Sequence, residues 1–344
     1  DLATCADDSY NRPSFLPRAG IKPAGREPDE GGMRLIRGIH NLRASHRGCV
    51  ATIGNFDGVH LGHQRILDQV IDEARARGKL ATVMLFEPQP QEFFCPDQAP
   101  ARLNSLRDKL IALRDYGVDQ VLCARFNESF RSLTAEAFVR DLLVEGLGID
   151  YLVVGDDFRF GRGRDGDFDY LKQAGERFGF QVTDTPTCEV DGERVSSTRV
   201  RAALEQGNFR LAERLLGRPY TISGRVRHGD KLGRTLDVPT VNLALKRPVS
   251  PLHGVFAVRV SGAGLEGHPG AANMGTRPSV DGQENRLEVH LLNFQGDLYD
   301  AHLSVAFHHF VRPEEKFDGL DELKAAMWRD LEQVQAFLDQ DDGL

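Results

Sequence analysis

The chain has 344 residues, 27% of them charged and 40% hydrophobic, which exceeds the usual size of one core and points to about two domains. A formal net charge of -8 argues against a nucleic-acid binder with a basic surface, because neutralising phosphates takes clustered Lys and Arg. No apolar run approaches bilayer length, and the first residues lack the basic-then-apolar order of a signal peptide, so the sequence reads as cytoplasmic with neither nucleic acid nor membrane as partner. Residues 1–32 mix Pro, Gly and charge without a hydrophobic period and are expected to form a disordered tail. A regular pattern begins at Met33. The apolar run 49–53 predicts a strand, the stretch GNFDGVHLGH at 54–63 a loop, and 63–77 a helix with Ile66, Leu67, Val70, Ile71 and Ala74 on one face. A buried strand at 80–86 completes a βαβ unit. The alternation continues with a helix near 103–113, a strand near 118–124, a helix near 134–144, a strand at 151–154 and a helix at 168–178. Such alternation predicts a Rossmann-like, doubly wound parallel sheet, with its ligand at the carboxyl ends of the strands, where 54–63 falls.

A turn at Asp191 and Gly192 leads to two short helical patterns, which end at Leu216 before Gly217 and Pro219. From Tyr220 the texture changes to short alternating runs, including 221–226, 255–260, 287–292 and 303–311, which predict a small antiparallel β-barrel. A terminal helix over 320–338, with Leu323, Met327, Leu331, Val334 and Leu338 at helical spacing, is expected to pack on that barrel. The organisation expected is a tail at 1–32, an α/β module at 33–217 and a β module at 218–344. The cysteines, Cys5, Cys49, Cys95, Cys123 and Cys188, form no CxxC pair and are expected as reduced core thiols.

Within 54–63, His60 and His63 stand at a strand-to-helix turn, where backbone N–H groups and the helix dipole favour an anion. Attack on the α-phosphate of a nucleoside triphosphate builds charge on phosphate oxygens and on departing pyrophosphate, so it needs fixed donors more than a nucleophilic side chain. Two imidazoles at a helix start supply them. Gly54 and Gly58 allow the turn, and Gly62 is expected to let the backbone approach the nucleotide. A surface histidine pair is the alternative; a metal site is weaker, with no third ligand nearby. Gly161, Gly163 and Gly166 spell GxGxxG after a strand, but Arg159, Arg162 and Arg164 crowd the loop, which reads as a basic loop near ligand phosphates or as a solvated charged loop.

GNFDGVHLGH resembles the HxGH-bearing loop of the nucleotidylyltransferase superfamily, and VSSTRVR at 195–201 resembles that superfamily's second signature in bacterial flavin adenylyltransferases. LFEPQPQEFF at 85–94 and VVGDDFRFGRGRDGD at 153–167 resemble the bifunctional riboflavin kinase/FAD synthetase family, and the resemblance extends over about all of 33–338. It implies that His60 and His63 contact the triphosphate while Asn55, Phe56, Asp57 and Gly58 shape the loop. Ser197, Thr198 and Arg201 would hold phosphate oxygens, a plain helix N-cap being the alternative for the two hydroxyls. Asp157 and Phe158 occupy a position associated with flavin binding, where some relatives carry Asn in place of Asp157.

No G-x-x-x-x-G-K-S/T occurs, so a kinase here must work without a P-loop. The stretch GRVRHGDKLGRTLDVPTVNL at 224–243 resembles the riboflavin kinase barrel, whose Gly-rich segment, with Gly229 and Gly233 here, covers ATP. Its Pro-Thr-Ala-Asn turn stands as Pro239, Thr240, Val241 and Asn242, with Asp237 and Val238 where the family has Gly-Phe. Thr240 and Asn242 offer hard oxygens for Mg²⁺ beside ATP. In LEVHLL, Leu287, Val289 and Leu291 point one way and Glu288 and His290 the other. An exposed strand Glu is the plain reading of Glu288; the resemblance makes it the base for the riboflavin hydroxyl. GAANMGTRPSV at 270–280 and FVRPEEKF at 310–317 resemble segments through which Asn273, Arg277 and Arg312 would face flavin. The family implies riboflavin, FMN and ATP as substrates, Mg²⁺ as metal, FAD as product and apoflavoproteins as recipients. Two alternatives stay open here: an adenylyltransferase with an inactive barrel, and a flavin carrier without catalysis.

Overall fold

The computed structural model describes residues 32–155, 157–227, 238–245, 249–279 and 282–341. The stretch expected as a tail lies outside these except for Gly32. Six strands, β1 (Arg34–Arg37), β2 (Cys49–Ile53), β3 (Leu80–Glu87), β4 (Gln120–Arg125), β5 (Ile149–Val153) and β6 (Gln181–Thr183), pair in parallel in the order β1-β4-β3-β2-β5-β6. The chain moves outward from β2 through β3 and β4, then returns to the other side of β2 as β5. The crevice of this doubly wound sheet therefore opens beside the carboxyl end of β2, where ligands of such sheets bind.

Side chains alternate across β2: Val50 joins one apolar layer, Cys49, Ala51 and Ile53 the other. The first layer is closed by α1 (Leu61–Arg77), through Leu67, Val70, Ile71 and Ala74, and by Ala112 and Leu113 further along. That spacing of i, i+3, i+4 and i+7 is why the segment is a helix against a sheet. The short α2 (Pro90–Phe94) and then α3 (Leu106–Tyr116) follow β3; α3 starts three residues later than 103 because Ser105 accepts the Asp108 N–H as N-cap. On the opposite face lie α4 (Glu128–Arg131), α5 (Ala135–Ala137), its π-helical continuation Phe138–Leu147, and α6 (Phe168–Phe178).

The turn at Asp191 and Gly192, both at positive φ, joins a two-stranded ribbon of β7 (Glu189–Val190) and β8 (Glu193–Arg194). Two helices come next, α7 (Ser197–Glu205) and α8 (Phe209–Leu216). The remaining strands are β9 (Tyr220–Arg227), β10 (Val241–Ala244), β11 (Gly254–Gly262), β12 (Leu265–Ser279), β13 (Gly282–Leu291) and β14 (His302–Arg312). They close an antiparallel barrel in the order β10-β13-β12-β11-β14-β9. The barrel interior holds Ile222, Leu243, Phe256, Met274, Leu287, Val305 and Phe307 in one apolar cluster, which also takes in Phe209, Ala212, Leu215 and Leu216 of α8. The last helix, α9 (Leu320–Asp341), packs Val334 and Leu338 on Ala257 and Leu292 outside the barrel.

The expectation of core cysteines needs correcting at one position. Cys49 and Cys123 are buried and Cys188 is partly so, but Cys95 is exposed just after α2; Cys5 lies outside the described residues. Gly161, Gly163 and Gly166 do not form a strand-turn-helix crossing: Phe160 pairs with Gly166 in an isolated bridge that closes the loop on itself before α6.

Candidate active sites

The loop after β2 is held from beneath. The buried Asp57 carboxylate accepts from the N–H groups of Leu103 at 3.1 and 3.0 Å and of Asn104 at 3.2 Å, and from the Arg201 guanidinium at 2.5 Å. Arg201 also donates to the Ala101 carbonyl at 2.6 Å, and the Ser197 hydroxyl donates to the Asp57 carbonyl at 2.8 Å. Arg201 and Ser197 thus bolt α7 to the loop. The N-cap of α7 is Ser196, which accepts the Arg199 N–H, so the capping alternative does not fall on Ser197 or Thr198; Thr198 is exposed in the first turn.

His60 is the N-cap of α1, and its Nδ1 accepts the His63 N–H at 3.3 Å. With Nδ1 an acceptor, the neutral ring carries its hydrogen on Nε2. The two rings stack at 3.7 Å, and Phe56 lies 4.9 Å from His63. A Cβ at Gly62 would come within 3.2 Å of the His60 ring, so Gly62 makes room for the imidazole folded back over the helix start. Burial pushes His60 down to about 4 against the pull of the Asp57 carboxylate, with the Arg194 and Arg201 cations lowering it further. His63 falls well below its usual range through burial, helped by His60, Lys109 and Arg218. Both imidazoles are neutral donors at pH 7. Gly54 and Asn55 lead out of β2; the Asn55 carbonyl accepts from the buried Lys109 ammonium at 2.5 Å, and its Oδ1 is buried without a protein partner. Lys109 and Arg218 are site residues that motif reading misses. Lys109 had one signal, a charge on the apolar stripe of α3 that also carries Ala112 and Leu113.

Asp157 is exposed and pairs with Arg194 at 3.2 Å, which brings its loop to the ribbon whose Arg194 also acts on His60. Phe158 stacks on Phe160 at 5.6 Å and joins the sheet core.

The second site lies outside the barrel wall. Cross-strand register places Asn242 opposite Glu288, Glu288 opposite Asn273, Asn273 opposite Val255 and Val255 opposite Arg312, one row across five strands. Leu287, Val289 and Leu291 fill the interior, so Glu288 and His290 face outward. Here the outer face is roofed by α9 and the segment before it, enclosing a cavity of about 570 Å³ lined by Val238, Thr240, Asn273, Glu288, Arg312 and Met327 among others. The Oδ1 atoms of Asn242 and Asn273 are buried without protein partners on either side of Glu288. Arg286 reaches the Glu288 carboxylate at 3.3 Å, and His290 Nδ1 lies 2.7 Å from the Pro239 carbonyl. Arg312 holds both oxygens of Asp330 on α9 at 2.8 Å and lies 5.5 Å over the Phe317 ring. Arg277 is on β12 opposite Glu284; Gly229, Gly233 and Asp237 lie outside the described residues. No group of three or more His, Cys, Asp and Glu among the described residues is arranged to hold a metal ion.

A nucleotide-type crevice with paired histidines, joined to a barrel with a walled, largely apolar cavity that holds a few polar groups, defines a two-module transferase. Residues 42–199 match the family model described as FAD synthetase, and residues 216–338 that described as riboflavin kinase. The bifunctional riboflavin kinase/FMN adenylyltransferase of Escherichia coli (strain K12) is 55% identical over 299 residues, covering 87% of this chain and 96% of that protein. Its counterpart in Pseudomonas fluorescens is 54% identical over 305 residues, covering 88% and 97%. The chain belongs to the bifunctional riboflavin kinase/FMN adenylyltransferase family. The fold as a whole matches the crystal structure of a macrolide-efflux protein from Streptococcus pneumoniae, with a TM-score of 0.74, 28% identity and coverage of 88% of this chain and 99% of that one.

Proposed function

We propose that the two sites divide one synthesis between them, the barrel phosphorylating riboflavin and the sheet crevice adenylylating the product. The chain is a transferase that makes FMN from riboflavin and ATP, and FAD from FMN and ATP with release of pyrophosphate. The observation that carries the assignment is spatial: the neutral histidine pair and the Glu288 row are built on different folds, each from the groups its own step needs.

In the barrel, the riboflavin hydroxyl attacks the γ-phosphorus of ATP, ADP leaves, and Glu288 takes the proton. Thr240 and Asn242 fit Mg²⁺, since both present hard oxygens and Asn242 Oδ1 is buried without a protein partner. Bound there, the ion would neutralise charge on the transferred phosphate. Asn273 stands opposite Glu288, Arg312 closes the cavity against α9, and the family resemblance gives Arg277 a part in flavin binding and Gly229 and Gly233 a part in ATP binding. In the crevice, an FMN phosphate oxygen attacks the α-phosphorus of ATP and the bond to pyrophosphate breaks. His60 and His63 donate N–H hydrogen bonds to the phosphate oxygens, adding no charge of their own. Gly54, Asn55, Phe56, Asp57, Gly58 and Gly62 shape the cradle, Ser197 and Arg201 fix it to α7, Thr198 offers its hydroxyl to phosphate, and Asp157 with Phe158 marks the flavin approach. The adenylylating module spans 33–217 and the kinase module 218–344. Both products serve apoflavoproteins in the cytoplasm; among the described residues no helix is long and apolar enough to cross a membrane.

The test is incubation with riboflavin, ATP and Mg²⁺ and chromatographic separation of FMN from FAD. His60→Ala with His63→Ala should accumulate FMN and stop at it. Glu288→Gln should lose FMN formation by about a hundredfold or more while converting supplied FMN to FAD. Equal loss of both activities in either variant would refute the division.

A further inference from the structure

The loop that carries His60 takes a left-handed backbone at three places, two of them strained because they are not glycine, and needs an external hold. Phe56 has φ 47°, Gly58 φ 86° and Val59 φ 44°. A β-branched residue such as Val59 rarely adopts a left-handed conformation, and such a conformation persists only where its surroundings over-determine it. The hold comes from the start of the barrel segment. Arg218 lies two residues past the end of α8, where the chain passes into the barrel, and its largely buried guanidinium donates to the carbonyls of Gly58 at 2.7 Å, Val59 at 3.2 Å and Leu216 at 3.2 Å. Gln64 of α1 completes the same knot, donating to Val59 at 2.9 Å and to Leu216 at 2.8 Å. Two residues on, the Tyr220 hydroxyl donates to the Leu103 carbonyl at 3.0 Å, and the Leu103 N–H in turn holds Asp57.

We propose that Arg218 is a positioning residue for adenylyl transfer: from the junction of the two modules it fixes the Gly58 and Val59 peptides and so sets His60 at the start of α1. The role rests on the assignment of His60 made above. A guanidinium is needed because its planar fork reaches three carbonyls at once; an ammonium is a point charge that cannot reproduce that pattern. Pulling the Gly58 and Val59 carbonyls toward the junction also leaves the opposite side of the loop, with the helix N–H groups, free for phosphate. The kinase step uses none of these atoms. Arg218 therefore links barrel to crevice in one direction, with the start of the kinase module supporting the chemistry of the other.

Full-length Arg218→Lys and Arg218→Ala should form FMN from riboflavin at the wild-type rate, which also verifies that they fold. Their kcat for FAD formation should fall by about tenfold to a hundredfold with KM for FMN little changed, as expected when a reacting group is misplaced rather than lost. Millimolar guanidinium should restore part of the activity to Arg218→Ala, whereas equal ammonium should not. His60→Ala serves as the reference. Wild-type FAD formation in Arg218→Lys or Arg218→Ala beside an inactive His60→Ala would overturn the inference and leave the site assignment standing. Parallel loss of both activities without guanidinium rescue would reduce Arg218 to a folding residue and overturn it too. FAD formation by His60→Ala would overturn both.

Discussion

His60 does two things that both need its neutral form. It caps α1 through Nδ1, and it is kept neutral by burial although Asp57 lies beside it. Its pKa drops from 6.5 to about 4, so between those values the unfolded chain takes up a proton that the folded one refuses. Stability from this group is complete above about pH 6.5 and is lost as the pH falls toward 4, a ceiling of about 3 kcal/mol for His60 alone. Thermal unfolding followed from about pH 7 to about pH 4.5 should show a steeper fall in Tm for the wild type than for His60→Gln. Parallel curves would mean that His60 is not held neutral by the fold. The histidine pair could be argued from its spacing at a strand-to-helix turn, whereas Glu288 reads from its strand as a plain exposed carboxylate and was singled out only by the family resemblance. Lys109 and Arg218 were not, because the carbonyls they serve lie 54 and 160 residues away along the chain, at Asn55 and Gly58. No short pattern encodes such a contact.

At the level of elements, periodicity gave most of what was needed. α6 falls where the apolar pattern puts it, α1 differs only at a start moved to Leu61 by its histidine cap, and α9 packs its Val334 and Leu338 stripe on the barrel as expected. Among the strands not seen are the two sheet edges, β1 and β6, and in the barrel β10 and β12. β12 contains Pro269, Gly270, Gly275 and Pro278, residues that read as turns, and it is a strand because β11 and β13 pair with it on both sides. That pairing brings Asn273 beside Glu288, so the missed strand is the one that completes the Glu288 row. The roof is held by the Arg312 pair with Asp330, both largely out of water. Asp330→Asn should cost about 1–3 kcal/mol on thermal unfolding and raise KM for riboflavin, with FAD formation from FMN preserved. Unchanged riboflavin affinity would show that α9 stays in place without the pair.

Across the whole molecule the two modules do not meet as separate bodies. Phe209 of α8 lies 5.7 Å from Phe256 and 6.4 Å from Phe307, inside the cluster that fills the barrel. The change of texture at Tyr220 marks where strands begin, and it gave the right two folds, but a core is not divided where a sequence pattern changes. Phe209→Ala should destabilise by about 3–5 kcal/mol, and residual FMN and FAD formation after heating should decline together. Heat curves that separate would show that the shared cluster does not couple the modules. The helix that roofs the kinase cavity also carries the chain's single tryptophan, Trp328, next to the cavity-lining Met327 and itself 47% exposed. Its ultraviolet emission is therefore an intrinsic optical gauge of the proposed site: riboflavin bound in that cavity would lie near the helix that bears the one indole donor, and the isoalloxazine ring absorbs where tryptophan emits. Quenching of Trp328 on addition of riboflavin without ATP would thus read occupancy of the cavity by light, without a label and before any phosphate has moved.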